Sequence, residues 1–264
     1  MRYKNKPILT NNPVFNFFSK KSQEESRLFF KTDIHSHVVP GIDDGSPSVE
    51  RSLELIARMK SWGLEKLIVT PHVTQDTFEN TPEIISEAYG TLQSGLQDAG
   101  IEIDMDYSAE YRIDEMFVEQ LEGGIVRRLH GDYLLVENSY IQEPYNIDQI
   151  LFQVSMKGYH PILAHPERYM YYYDKPKRYD ELHSKGILFQ VNLLSLAGYY
   201  GKEAKKVAEM LIEKDYVDYL GTDLHRRTHV EVMDKYLRSK DYRRHREKIE
   251  GRIKNDEMRG PSEK

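Results

Sequence analysis

Short apolar runs alternate with amphipathic stretches along most of the chain, and this alternation limits the folds that it can adopt. Residues 66–72, 133–137 and 187–192 have the composition of buried strands, while apolar residues recur at helical spacing in 49–60 and 202–214. Strands that alternate with helices form a parallel sheet with the helices outside. Seven such strand–helix units are predicted, and closure into a barrel is one way to accommodate them.

Most of the predicted strands end in a residue type that binds metal ions. His35 and His37 lie two residues apart, so a strand turns both to one face, together with Asp33. The carboxyl ends of parallel strands meet on one face of a barrel, which brings distant residues together. The predicted ligands at these ends and in the first loop are His35, His37, Asp44, His72, Glu110, Glu137, His165, Asp223 and His225.

This set predicts a metal centre. A single charged residue at a strand end is usually a solvated loop residue. Several carboxylates buried together repel one another unless cations compensate, and the set exceeds what one ion needs, so two or three divalent ions are expected. Imidazole and carboxylate without thiolate suit Mn, Fe, Zn or Mg. No metal is assigned to the remaining histidines, which are His130, His160, His183, His229 and His245.

Arginines follow two of the predicted ligands. Arg168 comes three residues after His165, and Arg226 and Arg227 follow His225 directly. A metal cluster with an arginine rim suits a phosphoester, because guanidinium binds phosphate through paired hydrogen bonds. For Arg168 a surface salt bridge remains an open alternative. Tyrosines in 169–173 either receive a substrate ring and peptide or only cover the barrel mouth.

Composition excludes several classes of protein. The chain has 264 residues, no cysteine and a net charge of −6, which excludes a cysteine nucleophile or thiolate site and argues against a nucleic-acid binder. We find no membrane-spanning run and no signal peptide, so we expect a cytoplasmic protein without stable membrane insertion. The predicted division is an N-terminal extension (1–31), a barrel domain (32–240) and a charged C-terminal tail (241–264), which is expected to be a frayed helix followed by disorder. A membrane-touching anchor in residues 1–30 is a weaker alternative.

The motifs resemble those of a known family. They are Asp33-x-His-x-His followed by Pro-Gly-x-Asp-Asp-Gly, then Thr-Pro-His72, Ala-Glu110, Val-Glu137, Ala-His-Pro-Glu-Arg168 and Thr-Asp-Leu-His225. Together they are similar to the polymerase and histidinol phosphatase (PHP) superfamily, and within it to bacterial manganese-dependent tyrosine phosphatases of capsule and exopolysaccharide operons. The resemblance covers about residues 32–235.

The resemblance implies a distorted TIM-like (β/α)7 barrel of the PHP type that holds three divalent ions, with Mn²⁺ favoured over Fe, Zn or Mg. The implied ligand groups are His35, His37, Glu110 and Asp223; Glu110, Glu137 and His165; and Asp44, His72 and His225. The implied substrate is phosphotyrosine in the C-terminal tail of a bacterial tyrosine kinase. The family's second phosphate-binding arginine has no clear counterpart, so Arg226 and Arg227 are both candidates.

Metal-assisted hydrolysis of an aryl phosphate monoester is therefore the leading hypothesis, with no covalent enzyme intermediate. Arg168 would neutralise phosphoryl charge, and Asp44 is one candidate for a general acid. A small-molecule phosphatase acting on a compound such as histidinol phosphate is the enzymatic alternative. A non-catalytic, metal-stabilised scaffold that binds the kinase tail is the alternative from another class. Asp33 is expected to support the site without binding an ion.

Overall fold

Parallel strands alternate with helices in the computed structural model, which describes residues 27–259. Parallel pairing agrees with helical crossovers between consecutive strands. Within this range the strands are β1 (Thr32–Asp33), β2 (Lys66–Val69), β3 (His72–Val73), β4 (Asp104–Tyr107), β5 (Glu110–Arg112), β6 (Tyr133–Glu137), β7 (His160–Ala164), β8 (Leu188–Asn192) and β9 (Tyr219–Gly221).

The helices Leu193–Leu196 and Arg227–Leu237 were not predicted, whereas the other helices include both segments predicted from helical spacing, 49–60 and 202–214, with ends displaced by one residue. Thr81 and Asp114 cap two of them through their side chains, as expected from residues that accept hydrogen bonds from first-turn N–H groups. The helices are α1 (Val49–Ser61), α2 (Pro82–Ala99), α3 (Glu115–Gly123), α4 (Ile147–Met156), α5 (Pro176–Ser184), α6 (Leu193–Leu196), α7 (Lys202–Glu213), α8 (Arg227–Leu237) and α9 (Lys240–Ile249).

The strands form two parallel sheets. One has the order β1-β2-β4 and the other the order β3-β5-β6-β7-β8-β9, which gives an α/β fold with a parallel sheet curled into a half-barrel. β2 is followed by β3, and β4 by β5, after a short interruption without a helix, and the chain passes from one sheet to the other at both interruptions. Pro71 explains the first of them, because proline has no N–H to donate to the sheet.

Alternate residues of the strands face two different cores. Leu134 and Val136 pack in the larger core beneath the helices, whereas Leu135 belongs to a smaller cluster inside the curled sheet, with Ile162 and Tyr219. Both faces of the strands are therefore buried, as their nearly continuous apolar sequences require. Glu137 follows Leu135 by two residues on β6, so its side chain points to the inner face, above this cluster.

One local prediction is wrong. Residues 241–259 are not a frayed helix with a disordered tail: α9 buries Tyr242 and Ile249, and a 3-10 helix (Asn255–Arg259) follows it. Packing of these side chains in the core stabilises the helix, although its highly charged composition does not indicate it.

The domain division predicted from sequence stays a prediction, although packed structure extends past both of its boundaries. Leu28 and Phe30 are buried, and the Leu28 N–H donates to the Trp62 carbonyl oxygen at 2.8 Å. The proposed anchor in residues 1–30 lies mostly outside the described residues. No helix of residues 27–259 is long and apolar enough to cross a membrane.

Asn255 joins the first and last strands at their amino-terminal ends. Its side-chain amide donates to the carbonyl oxygens of Thr32 and Leu220 at 2.9 and 2.8 Å, and its oxygen accepts from Leu220 N at 2.9 Å. The side chain is completely buried. It therefore connects β1 to β9 through backbone groups of both strands.

We predict that Asn255→Ala lowers the free energy of unfolding by about 2–4 kcal/mol, because it removes three buried hydrogen bonds to the backbone. Urea denaturation measures the change. Glu257→Ala, at an exposed position in the same segment, is the control and is expected to stay within about 0.5 kcal/mol of the parent. A loss below about 1 kcal/mol for Asn255→Ala would contradict this role.

Candidate metal centre

The strand ends converge as the sequence predicts. Each of the nine predicted ligands belongs to at least one group of donors whose atoms lie within 4.8 Å of one another. Most of these side chains are fully buried, whereas Asp44 is half exposed at the mouth of the site. The groups are His35, His37 and Glu110; His35, His165 and Asp223; His72, Glu110 and Glu137; and His37, Asp44, His72 and His225.

These groups overlap with the ligand sets that the resemblance implies but differ in detail. Asp223 Oδ1 lies 3.5 Å from His35 Nε2 and 3.4 Å from His37 Nε2, which agrees with the first implied set. Glu110 and Glu137 are grouped with His72, while His165 Nε2 lies 3.9 Å from Glu137. The cluster is able to bind metal ions, and its donors are shared between neighbouring groups.

Hydrogen bonds fix the protonated nitrogen of the two central imidazoles. His35 Nδ1 donates to Gln190 Oε1 at 2.6 Å, and His37 Nδ1 donates to Asp43 Oδ2 at 2.9 Å. In each ring Nε2 is left to face the cluster, and the two Nε2 atoms are 3.1 Å apart. Two lone pairs at this distance repel unless a proton or metal ion lies between them, so this arrangement fits a cation.

Asp223 is held in the same way, with one oxygen bound to the supporting protein and one directed at the imidazoles. Asp223 Oδ2 accepts from Arg168 Nη1 at 2.9 Å and from Asn192 Nδ2 at 2.6 Å, which leaves Oδ1 facing the histidines. Oε2 of Glu110 and Oε2 of Glu137 are buried without a hydrogen-bond partner. Buried carboxylate oxygens normally have a donor or a cation, so these atoms also fit bound metal.

Charges within the cluster compensate one another. Burial raises the pKa of Glu110, but His35 and His72 outweigh it and hold this pKa well below its usual range. Burial and the nearby His37 lower the pKa of His72, yet Glu110 and Glu137 raise it to about 10. The carboxylates therefore stay ionised, and protons on imidazoles supply the balancing charge. Divalent ions can replace these protons, because metal ligands bind in their deprotonated forms.

The backbone around the cluster is held in tight or strained conformations. A Cβ added to Gly45 would lie 2.2 Å from the carbonyl oxygen of His37, so only glycine lets the loop after β1 fold back this closely. His165 and Asp223 have φ values of 35° and 48°, in the left-handed region that most residues avoid. Hydrogen bonds from their N–H groups to Gln190 and His35 hold them there.

A cavity of about 340 Å³ opens above the cluster and contains three of the arginines of the chain, Arg112, Arg168 and Arg226. Arg168 is one-fifth exposed and lies between two aromatic rings, 4.8 Å from the centre of Tyr140 and 3.9 Å from that of Tyr200. It is therefore not a solvated surface residue. Stacking and the bond to Asp223 restrict it to the site.

The two arginines after His225 lie in different places. Arg226 lines the cavity, and its Nη2 is 3.6 Å from Asp44 Oδ2. Arg227 is exposed as the first residue of α8 and does not line the cavity, so its assignment to the site stays a prediction. The start of the helix turns consecutive side chains in different directions, which explains the difference between the two.

The tyrosine run after Arg168 belongs mainly to the core. Tyr169 and Tyr172 have no exposed surface, and their hydroxyl groups donate to the Ala164 carbonyl oxygen at 2.9 Å and to Glu143 Oε1 at 2.6 Å. Tyr171 is partly buried against the same cluster. Tyr169 and Tyr172 are therefore core residues, and the interpretation of the run as a cover over the mouth stays a prediction.

Comparison with known proteins agrees with this geometry. A family model described as capsular polysaccharide synthesis, CpsB/CapC, matches residues 31–252. The chain belongs to the CpsB/CapC family.

Members of this family are similar over most of the chain. Tyrosine-protein phosphatase CpsB of Streptococcus pneumoniae is 31% identical over 73% of this chain and 82% of its own length. Tyrosine-protein phosphatase YwqE of Bacillus subtilis is 29% identical over 73% of this chain and 76% of its own. A solved structure from a study of YwqE and CpsB, described as unique metal-dependent tyrosine phosphatases, has a TM-score of 0.73 at 26% identity, over 86% of this chain and 94% of the solved one.

Several residues of this CpsB/CapC family site were not assigned from sequence. They are Asp43, Arg112, Tyr140, Gln190 and Tyr200. Asp43 stands beside the predicted ligand Asp44, and Arg112 follows Glu110 by two residues on β5, so spacing was a usable signal for these two.

Asp33 is not in a ligand group. It accepts from Thr222 N and Thr222 Oγ1 at 2.9 and 2.7 Å, and so joins the first strand to the segment that carries Asp223.

We predict that Asp43→Ala weakens manganese binding by about tenfold to a hundredfold, because His37 loses the acceptor that orients its ring. Asp43 Oδ2 also accepts from His72 N at 3.2 Å, so two donor groups lose a common support. Calorimetric titration of the purified protein with manganese measures the effect. Asp98→Ala, at an exposed carboxylate on α2, is the matched control. Equal affinities for the two variants would rule out the orienting role of Asp43.

Proposed function

We propose that this chain is a metal-dependent protein-tyrosine phosphatase. One observation carries the proposal: imidazoles and carboxylates from separate strand ends form one buried cluster, beneath a cavity whose walls contain arginines. Negative phosphoryl oxygens bind favourably between metal ions and guanidinium groups. The names of the related proteins support the choice of phosphotyrosine as substrate.

We infer that the cluster holds three divalent ions, with Mn²⁺ favoured. The overlap of the donor groups supports several ions that share ligands, since Glu110 and His72 each occur in two groups. The bound ions would supply Lewis-acid activation of water and of the phosphoryl group. The proposed ligands are His35, His37, Asp44, His72, Glu110, Glu137, His165, Asp223 and His225.

The arginines and Asp44 take the remaining roles at the cavity. Arg168 donates one N–H to Asp223, and its other N–H groups are available to phosphoryl oxygens. Arg226 and Asp44 lie at the mouth, where Arg226 adds positive charge. The neighbouring His225 holds the pKa of the Asp44 carboxyl well below its usual range, so Asp44 suits an ionised ligand better than a proton donor. Phenolate has a pKa of about 10, so its departure needs little help from a general acid.

We further infer that the two sheets form one distorted (β/α)7 barrel. Ser36 and Leu224 pair in parallel beyond the ends of β1 and β9, and His37 N donates to Leu224 O at 3.0 Å. Thr70 N donates to Ser36 O at 2.9 Å, which connects the first strand to the interruption between β2 and β3. These bonds support closure at the carboxyl ends of the strands, and Asn255 supports it at their opposite ends.

The proposed substrate is phosphotyrosine in the C-terminal tail of a bacterial tyrosine kinase that controls capsule or exopolysaccharide synthesis. The family description, capsular polysaccharide synthesis, supports this biological setting. A tail that receives phosphate from ATP lies in the cytoplasm, so the proposal includes a cytoplasmic location. A half-exposed rim at Asp44 and Arg226 suits a flexible peptide that enters from solvent.

We expect the manganese-loaded protein to hydrolyse a phosphotyrosine peptide faster than histidinol phosphate and to leave single-stranded DNA intact. The arginine-lined cavity accepts a phosphate monoester, whereas the net charge of −6 repels a nucleic-acid backbone. Phosphate release and gel electrophoresis measure the three reactions. Turnover of histidinol phosphate or DNA with the peptide untouched would reject the tyrosine phosphatase assignment.

We expect the double substitution His35→Ala, His37→Ala to abolish phosphatase activity and to lower the manganese content of the protein. Both rings direct Nε2 at the centre of the cluster, so their loss removes donors from three of the four ligand groups. Activity assays and elemental analysis of the same samples measure the two effects. His160→Ala, at an exposed histidine where β7 begins, is the control. Retained activity in the double variant would refute the metal mechanism.

For Arg168→Ala we expect kcat/KM to fall by about tenfold to a thousandfold, since the phosphoryl oxygens lose a charged contact in the transition state. Steady-state kinetics with the phosphotyrosine peptide measures the change. Arg238→Ala, at an exposed arginine after α8, controls for the loss of one positive charge. An unchanged kcat/KM in Arg168→Ala would mean that Arg168 only contacts Asp223 and does not bind the phosphoryl group.

A further inference from the structure

We propose that Arg112 is a second phosphate-binding residue of this site, acting beside Arg168. This inference rests on the phosphatase function proposed above and identifies a substrate contact that neither the motifs nor the comparisons assign. Arg112 lies on β5, two residues after Glu110, so the strand turns both side chains to the same face. The strand that presents the central carboxylate therefore also presents a guanidinium to the cavity.

Only one edge of the Arg112 guanidinium is used by the protein. Its Nε donates to Glu137 Oε1 at 2.9 Å, and its Nη2 lies 2.8 Å from the same oxygen in an ion pair. Within residues 27–259, Nη1 has no protein partner, and the side chain is 23% exposed in the wall of the cavity. A guanidinium carries five N–H groups in a plane, so the remaining edge is free to bind oxygens of a ligand.

Arg112 and Arg168 are arranged alike. Each donates to a carboxylate of the cluster, Arg112 to Glu137 and Arg168 to Asp223. Each also lies against the ring of Tyr140, at 5.8 and 4.8 Å from its centre. Two guanidinium groups beside one ring repel each other, and a phosphate dianion in the cavity would relieve this repulsion.

Contact with Glu137 accounts for Nε and Nη2 of Arg112 but not for Nη1. The position of Arg112 in the cavity wall gives the phosphoryl group a second arginine beside Arg168. Arg226, the other candidate, is half exposed and directed towards Asp44.

Orthophosphate binding tests the proposal directly. Calorimetry would compare the manganese-saturated parent with Arg112→Gln and Arg112→Lys, and elemental analysis of the same samples would count the ions per chain. We expect the dissociation constant for orthophosphate to rise about tenfold to a hundredfold in Arg112→Gln, with partial recovery in Arg112→Lys. Arg128→Gln, at an exposed arginine on the loop before β6, should bind orthophosphate as the parent does.

The other outcomes separate this proposal from the proposed function. Parental orthophosphate affinity in manganese-saturated Arg112→Gln would overturn it. If the variant loses ions and regains full phosphate affinity at higher manganese, Arg112 acts only through Glu137, and the substrate contact is likewise rejected. If the manganese-loaded parent neither binds orthophosphate nor hydrolyses the peptide, the proposed function itself fails, and the inference falls with it.

Discussion

The buried carboxylate of Glu110 is the contact on which the arrangement of the site depends. Its Oε2 lies 3.0 to 3.4 Å from nitrogens of His35, His37 and His72, and its Oε1 is 2.8 Å from His165 Nε2. A carboxylate with no exposed surface is costly without positive charge around it, so the fold must bring these imidazoles together. Strand register contributes directly: His72 pairs with Glu110, and Arg112 pairs with Glu137.

Support for this contact comes from parts of the structure that do not bind ions. Gln190 and Asp43 orient two imidazoles, Asp33 joins the first strand to the last, and tight turns hold the backbone of His165 and Asp223. Left-handed backbone in residues other than glycine costs of the order of 1–3 kcal/mol each. The rest of the fold must offset this cost, as the continuous cores on both faces of the strands do.

The sequence predicted the helices and strands well, because period and length separate the two in this chain. Prediction from local sequence pattern failed where contacts with distant parts of the chain stabilise a segment. The helix α8 was not predicted, and α9 is so highly charged that only its buried residues, among them Tyr242 and Ile249, show why it packs. The same limit applies to Arg226 and Arg227, since adjacent residues at a helix start point in different directions.

Residue types and their positions at strand ends were sufficient to name the nine candidate ligands and the chemistry that they suit. Imidazole and carboxylate donors keep their chemistry in any fold, and parallel strands always gather their carboxyl ends at one face. Packing in three dimensions established which donors are neighbours, which imidazole nitrogen faces the cluster, and that Arg112 shares a cavity with Arg168. These properties depend on distances between segments far apart in the chain, such as the 155 residues between His35 and Gln190, and local sequence does not encode such distances.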